Sequence, residues 1–414
     1  MQNRLSKALL KTTRMNSEEN NQFDLPSVQQ AIIDFGFDGW LLYDFRGSNL
    51  PARRVLQIDD GTVTSRRFAL FIPADGEPRK IVHRIESGVL DHLPGETTAY
   101  LTWQELESAF QQAVSGCKHI AMEYSTRNAN PYVSRVDAGT VELIRSFGCR
   151  VSSSGDLIAL FEAALSDAQW KAHLQATEIN DASFAVAWEF IATQIREAGG
   201  VDEREVQTRI LQHYADYGLI TDHPPIVAVN ENSGDPHYET GTGINTRISK
   251  GCFVMIDQWG RHEHSDGIYS DLTRCGYTGT EIPERYQQVF RTVAEARDAG
   301  IECVRSVLAA GEPLQGWQVD DAVRKVIVAA GFGDAFCHRT GHSLGRETHA
   351  NGTHIDNLET HETRHILPRT LFTIEPGIYL PEFGIRSEVN VFVHEEQTVQ
   401  VTGGPPQQAP HCII

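Results

Sequence analysis

The sequence predicts an α+β protein in which an N-terminal α/β domain precedes a domain built on a largely antiparallel sheet flanked by helices. Strand-like and helix-like patterns alternate early in the chain, whereas short strands of alternating polarity recur near its end. The 414 residues suffice for two to three domains of about 150 residues each. Small and polar residues accumulate around 152–156. We therefore expect an N-terminal extension over residues 1–25, the α/β domain over 26–160 and the second domain over 161–414.

Local patterns define the N-terminal domain in order. GWLLYDF and RRFALFIPADGEP read as buried strands, and glycine and proline mark a turn at the end of the second. TWQELESAFQQAV carries apolar residues at helical spacing, and HIAMEY returns to the strand pattern. This alternation is typical of an α/β module.

The second domain opens with a long amphipathic helix over residues 166–199, because Ser166 is a favourable N-cap and glycines follow the last apolar turn. Short apolar runs bounded by turn residues then predict strands, and two further periodic segments predict a helical pair. In chain order we expect a helix over 202–217, strands over 226–229, 253–259 and 268–277, helices over 284–308 and 316–330, and strands over 370–375 and 385–394.

Composition excludes several classes of protein. Asp and Glu outnumber Lys and Arg by 55 to 36, and the net charge of −19 argues against binding to a nucleic-acid backbone. No apolar run approaches about 18 residues, so we expect no membrane span. The seven scattered cysteines form no CxxC pair, and the N-terminus lacks the apolar core of a signal peptide. Reduced thiols in the cytoplasm fit these features, and residues 1–25 read either as disordered or as a mobile segment that contacts a partner.

The segment HRTGHSLGRETH at residues 338–349 contains three of the chain's 17 histidines, namely His338, His342 and His349. Its glycines make it a poor helix. A solvated loop could contain such a cluster by chance. A metal site that uses one imidazole as a ligand and others as proton carriers would require it.

Four carboxylates punctuate the strands of the second domain: Asp257, Asp271, Glu375 and Glu388. Taken singly, each is most simply a strand-end group that faces water or pairs with an arginine. Together with His342 they bring four negative charges, which two divalent cations would balance. Oxygen-rich ligation with a single imidazole suits Mn, and also Co, Fe or Zn. Two such ions would hold a hydroxide between them and make it a nucleophile at neutral pH.

The motifs around these residues, IDQWG…YSDLTR, HRTGHSLGRETH, TIEPGIY and GIRSEVNV, resemble those of the pita-bread metallopeptidases. This family includes methionine aminopeptidase, aminopeptidase P, prolidase and creatinase. WLLYDFRGSNLPARRV and the module around it are similar to the N-terminal domain of the last three, which methionine aminopeptidase lacks. The resemblance implies a creatinase-type domain over 26–160 and a pita-bread catalytic domain with a curved sheet over 161–414.

The resemblance also implies the roles of individual residues. Asp257 would chelate one metal, Asp271 and Glu388 would bridge both, and His342 and Glu375 would complete the shell of the second. Glycines in the histidine segment would let the backbone pass close to the metals and the substrate. Further residues would surround the metals: His349 to stabilise charge on the scissile carbonyl oxygen, His237 to approach the substrate, and His338, Tyr379 and Arg386 in supporting positions.

The activity implied by the resemblance is that of an Xaa-Pro dipeptidase, or prolidase. A hydroxide bridging two divalent metals, with Mn preferred, would hydrolyse the amide between an N-terminal residue and proline, and Glu375 would pass a proton to the proline nitrogen. The compact spacing from Glu375 to Glu388 favours a dipeptidase. The alternatives are aminopeptidase P, a hydrolase of another small amide metabolite and, as a minor one, a catalytically dead scaffold. Relatives are commonly homodimers, so we expect a homodimer that acts on proline-containing dipeptides or short peptides.

Other conspicuous residues have simpler interpretations. HETRH at residues 361–365 fits the zinc-protease pattern HExxH, but its polar flank and Pro368 do not support the required helix. We therefore expect a surface connection there. Arg364 and Arg369 are candidates for binding a product carboxylate. The residues expected to be solvated in an enlarged hairpin turn are His262, His264 and Asp266.

Overall fold

A computed structural model describes residues 23–59 and 61–414. The extension expected over residues 1–25 therefore lies almost wholly outside the described residues. The chain divides into two compact units between Ala164 and Leu165. The domain ranges 26–160 and 161–414 remain predictions beside this division. Among the described residues, no helix is both long enough and apolar enough to cross a membrane.

The first unit contains a mixed sheet with helices on both faces. Along β1, Trp40 and Leu42 enter one apolar cluster while Leu41 and Tyr43 enter another, so both faces of this strand are buried. The strand order is β4-β3-β2-β1-β5-β6, in which β1, β2 and β3 are antiparallel neighbours and the remaining pairs are parallel. The elements are α1 Leu25–Asp34, β1 Gly39–Phe45, α2 Leu50–Val55, β2 Arg67–Pro73, β3 Arg79–His83, β4 Glu96–Tyr100, α3 Trp103–Ala113, β5 His119–Met122, α4 Ala138–Ser146, β6 Arg150–Ser153 and α5 Gly155–Ile158.

The second unit combines long helices with short, mostly antiparallel strands. Its helices are α6 Asp167–Ala198, α7 Glu203–Tyr217, α8 Glu284–Ala309 and α9 Gly316–Ala329. Its strands are β7 Val201–Asp202, β8 Leu219–Ile220, β9 Ile226–Val229, β10 Arg247–Ile248, β11 Phe253–His262, β12 Ser270–Tyr277, β13 Ser343–Leu344, β14 Leu371–Ile374, β15 Gly377–Leu380, β16 Phe383–Arg386, β17 Val389–Val393, β18 Val399–Thr402 and β19 His411–Cys412. The main sheets run β19-β12-β11-β8, with β9 also on β11, and β13-β14-β17-β18.

Helix α6 supports the sheet that carries β11 and β12. Ser166 and Gln169 form a reciprocal capping box at its start, and Gly199 ends it with a left-handed backbone at φ 71°. Ala176, Ala187 and Ile191 are fully buried in the cluster that the helix shares with this sheet. Burying an isoleucine side chain stabilises a fold by about 1.5–3 kcal/mol, so this contact stabilises the packing of α6 against the sheet that contains β11 and β12.

One strand prediction near the C-terminus is wrong in detail. The segment predicted as one strand over 385–394 is two strands, because β16 pairs with β15 whereas β17 pairs with β14, and the chain breaks at Ser387 and Glu388. Just before these strands, Pro376 and Gly377 carry the chain from β14 in one sheet to β15 in another.

Candidate metal and active site

The hairpin of β11 and β12 presents one polar face. Asp257 lies opposite Thr273 and Trp259 lies opposite Asp271 in the antiparallel register. Because side chains alternate between the faces of a strand, these four residues share one face, while Ile256 and Leu272 enter the apolar cluster on the other. The two carboxylates are therefore held side by side by the register itself.

Thr273 connects this face to Glu388, which lies in the break between β16 and β17. The Thr273 hydroxyl is 2.9 Å from Asp257 Oδ1 and 2.8 Å from Glu388 Oε2. The other oxygen of the fully buried Glu388, Oε1, has no hydrogen-bond partner among the described residues. An unpartnered buried carboxylate oxygen is costly, so this atom requires a proton or a cation.

His342 adds an imidazole to this group of carboxylates. Its Nε2 lies 3.3 Å from Glu375 Oε1 and 3.6 Å from Asp271 Oδ2. Its Nδ1 lies 3.3 Å from the carbonyl oxygen of Ser343, which can only accept, so Nδ1 carries the proton. The lone pair of Nε2 then points toward carboxylate oxygens. Ligand atoms of Asp271, His342 and Glu388 all lie within 4.8 Å of one another.

Burial and mutual repulsion raise the pKa values of the clustered carboxylates. Desolvation is the largest cause for Asp271 and Glu388, followed by the charges of their carboxylate neighbours, and both pKa values lie well above the usual range. Desolvation likewise raises the pKa of Glu375 to about 7, although the charge of Arg386 opposes this rise. The pKa of His342 is lowered, chiefly by burial. A neutral imidazole beside an excess of carboxylates fits a site for divalent cations.

A chain of hydrogen bonds links the histidine segment to Asp257. His338 Nδ1 lies 2.6 Å from the Arg339 carbonyl and must donate to it, so Nε2 accepts from the Tyr379 hydroxyl at 2.8 Å. Burial lowers the pKa of His338 to about 3, which keeps this ring neutral. Arg386 donates to the Tyr379 hydroxyl over 2.9 Å and to Asp257 Oδ2 over 2.5 Å. The predicted supporting residues His338, Tyr379 and Arg386 thus form one continuous path.

His349 and His237 lie beside this cluster. The rings of His349 and His342 meet edge to face, with centroids 4.4 Å apart. His237 is exposed, and its charge, like that of Arg339, contributes to lowering the pKa of His349, for which desolvation is the first cause. His349 is exposed as well, so this ring joins the buried His342 to the protein surface.

Gly341 allows the histidine segment to lie close to β14. A Cβ atom added there would lie 2.0 Å from the carbonyl oxygen of Thr373, so a larger residue would separate the two segments. The adjacent Thr340 donates its backbone N–H and its hydroxyl to the buried Asp320 of α9, over 3.0 and 2.7 Å. The Thr340 carbonyl in turn accepts from Glu375 N over 2.8 Å. These contacts set the segment that carries His342 against the strand that leads to Glu375.

Sequence reasoning missed the roles of Thr273 and Asp320. The available signal for Thr273 was its place two residues after Asp271, which puts both side chains on one face of a predicted strand. Asp320 gave none, because it lies on a helix in an i, i+4 pair with Arg324 that resembles an ordinary surface ion pair.

The remaining candidates lie elsewhere or are already paired. The segment 361–365 is not helical, but the expected surface connection is wrong in part, because Glu362 and Arg364 are buried and form an ion pair. Arg369 is bound to Asp167 and Glu395. In the turn between β11 and β12, His264 is exposed and His262 and Asp266 are half-buried.

Comparisons place this fold and site among known peptidases. A model of metallopeptidase family M24 matches residues 171–395. An uncharacterized peptidase of Staphylococcus haemolyticus is 27% identical over 341 residues, which cover 80% of this chain and 86% of that protein. The structure of dipeptidase PepE from Mycobacterium ulcerans matches with a TM-score of 0.65 and 21% identity over 94% of this chain and 96% of its own. That of an Xaa-Pro dipeptidase from Bacillus anthracis has a TM-score of 0.59 and 22% identity, covering 93% and 98%.

An α+β fold that buries carboxylates around one imidazole defines a metal-dependent peptidase. The chain belongs to metallopeptidase family M24, so the family predicted from its motifs is confirmed, and with it the α+β fold class. The protein is a metallopeptidase.

Proposed function

We propose that the protein is an Xaa-Pro dipeptidase that uses two divalent metal ions. The observation that carries the proposal is the convergence of Asp257, Asp271, His342, Glu375 and Glu388 through direct contacts and the shared Thr273 hydroxyl. The similarity to a protein named as an Xaa-Pro dipeptidase supports the substrate class.

The donor set suits Mn best, because four carboxylates and one imidazole are hard, oxygen-rich ligands. Asp257 would bind one ion, His342 and Glu375 the other, and Asp271 and Glu388 both. When bound, the pair would lower the pKa of a water so that it attacks at neutral pH, and would polarise the scissile carbonyl. Oε1 of Glu388 has no hydrogen-bond partner among the described residues and would be available to a cation, while the Thr273 hydroxyl orients the carboxylate through Oε2.

The chain's own residues divide the remaining work. Glu375, which lies against His342 in the cluster, would take a proton from the nucleophile and return it to the proline nitrogen. His349, neutral because its pKa is lowered, would donate a hydrogen bond to the developing oxyanion. His237 stands exposed beside it to contact the peptide. A homodimer is proposed by resemblance to the family alone.

Metal content and peptide cleavage test this proposal together. We expect about two Mn per chain after reconstitution, and turnover of Ala-Pro and Leu-Pro. Glu388→Gln should lose metal and lower kcat/KM by at least about 100-fold, whereas Glu382→Gln, an exposed carboxylate six residues earlier, should behave as wild type. Fewer than one metal per chain would contradict the dinuclear site.

A tripeptide Xaa-Pro-Xaa separates the dipeptidase from an aminopeptidase of the same family. A dipeptidase should cleave Leu-Pro and leave Leu-Pro-Ala intact. Cleavage of the tripeptide alone would refute the dipeptidase assignment and favour aminopeptidase P.

A further inference from the structure

Trp259 and Asp222 form a hydrogen-bonded pair next to the candidate metal ligands, and the proposed mechanism uses neither residue. Trp259 shares the site face of β11 with Asp257 and lies directly opposite Asp271. Its indole N–H donates to Asp222 Oδ1 over 2.6 Å. The indole is half-buried, so one part of it packs in the fold while another borders the site.

Asp222 is also tied to the segment that carries His349. The Thr348 hydroxyl lies 3.4 and 3.3 Å from the two carboxylate oxygens of Asp222. Asp222 therefore contacts Trp259, on the metal-binding face, and Thr348, the residue before His349. Its charge contributes to the pKa shifts of both His349 and Asp271, which places the carboxylate within electrostatic range of the reacting groups.

The Asp222 carboxylate remains available to a ligand. The Asp222 side chain is 47% exposed, and Nδ1 of the more exposed His223 lies 3.7 Å from its Oδ1. Arg261, one step further along the same strand face, holds its guanidinium over the Tyr269 ring at 5.5 Å and donates to the His262 carbonyl. An exposed carboxylate beside an apolar ring attracts cations by its charge.

We propose that Asp222 and Trp259 select substrates whose N-terminal residue carries a positively charged side chain, such as lysine or arginine. The inference rests on the proposed function, because it names the residue class that precedes proline. An alkyl stem would lie along the indole while the ammonium or guanidinium reaches Asp222. A neutral side chain of the same length would gain only the first contact, and an acidic one would be repelled.

The test compares Lys-Pro with norleucine-Pro, which have nearly the same shape and differ in charge. For the metal-loaded wild type, we expect kcat/KM to favour Lys-Pro by about 3- to 10-fold, and the preference to shrink as salt is raised. Asp222→Asn should reduce this ratio to near one, and Trp259→Phe should reduce it in part. The matched control is Glu263→Gln, an exposed carboxylate of the β11–β12 turn, which should retain the wild-type ratio.

Each outcome bears on the inference. Equal use of Lys-Pro and norleucine-Pro by the wild type, or an unchanged ratio in Asp222→Asn, would overturn it and leave the dipeptidase assignment standing. Failure to cleave any Xaa-Pro dipeptide would overturn the proposed function and this inference together.

Discussion

Replacement of Thr273 by valine tests whether one hydroxyl holds the carboxylates in position. This hydroxyl lies 2.9 Å from Asp257 Oδ1 and 2.8 Å from Glu388 Oε2, and Arg386 Nε donates to it over 3.1 Å. Valine has the same branched shape without a polar atom. Both carboxylates would therefore lose this contact, and the Arg386 Nε–H would lose its acceptor.

The expected magnitude follows from counting protons. The hydroxyl can donate to only one carboxylate at a time, so the carboxylates together lose one charge-assisted bond, which is worth about 1.5–3 kcal/mol. The bond from Arg386 is lost as well, but it does not end on a ligand oxygen. At 1.4 kcal/mol for each factor of ten, metal binding should weaken by roughly 10- to 150-fold. This range agrees with the effect of about 10- to 100-fold that follows from removing residues that orient metal ligands.

Competition with a chromogenic chelator would measure Mn affinity in the wild type, Thr273→Val and Thr273→Ser. Serine keeps the hydroxyl, so it should restore most of the affinity, whereas loss of packing alone would affect serine at least as strongly as valine. If the valine variant binds Mn within about twofold of the wild type, the hydroxyl does not organise the site.

Three further predictions address pH and packing. Burial raises the pKa of Glu375 from 4.5 to about 7 in the folded, metal-free protein, so its free energy of unfolding falls as pH rises between these values. Mn should therefore raise the Tm more at pH 8 than at pH 6. An equal shift in Tm at the two pH values would contradict this. Buried His173 has its pKa lowered from 6.5 to about 4, so stability present above pH 6.5 is lost as pH falls toward 4, by roughly 3 kcal/mol at most. His173→Gln should reduce this loss of stability at acid pH, as measured by the free energy of urea unfolding at several pH values. Gly341→Ala should destabilise the protein by about 1–3 kcal/mol, because its Cβ would meet Thr373 O, and an unchanged urea midpoint would refute that clash.

The sequence predicted elements whose information is local. The capping residues of α6 and the apolar alternation of β11 and β12 lie within single segments, and these elements form close to their predicted bounds. The strand break at Ser387 and Glu388 was not predictable in this way. The residues around the break are all buried, and the alternation of Glu388, Val389, Asn390 and Val391 is that of one continuous strand. Only the pairing partners separate β16 from β17.

The candidate site shows the same distinction. The five predicted ligands were found through motifs, and the structure brings their side chains together, but the contacts that position them join distant parts of the chain. Thr273 meets Glu388 across 115 positions, and Thr340 meets Asp320 through side-chain geometry that no periodicity encodes. Such roles depend on tertiary contacts, which a single sequence does not reveal.

The break that carries Glu388 has a consequence for how the proposed metal site forms. Because Asp257 and Glu388 reach the common Thr273 hydroxyl from distant positions in the second unit, a fragment that ends before Glu388 lacks one of the five candidate donors. Under the proposed function, cations would be captured only after the chain has been made through Glu388 and the second unit has folded around Thr273. Ion uptake would then follow the folding of this unit rather than initiate it.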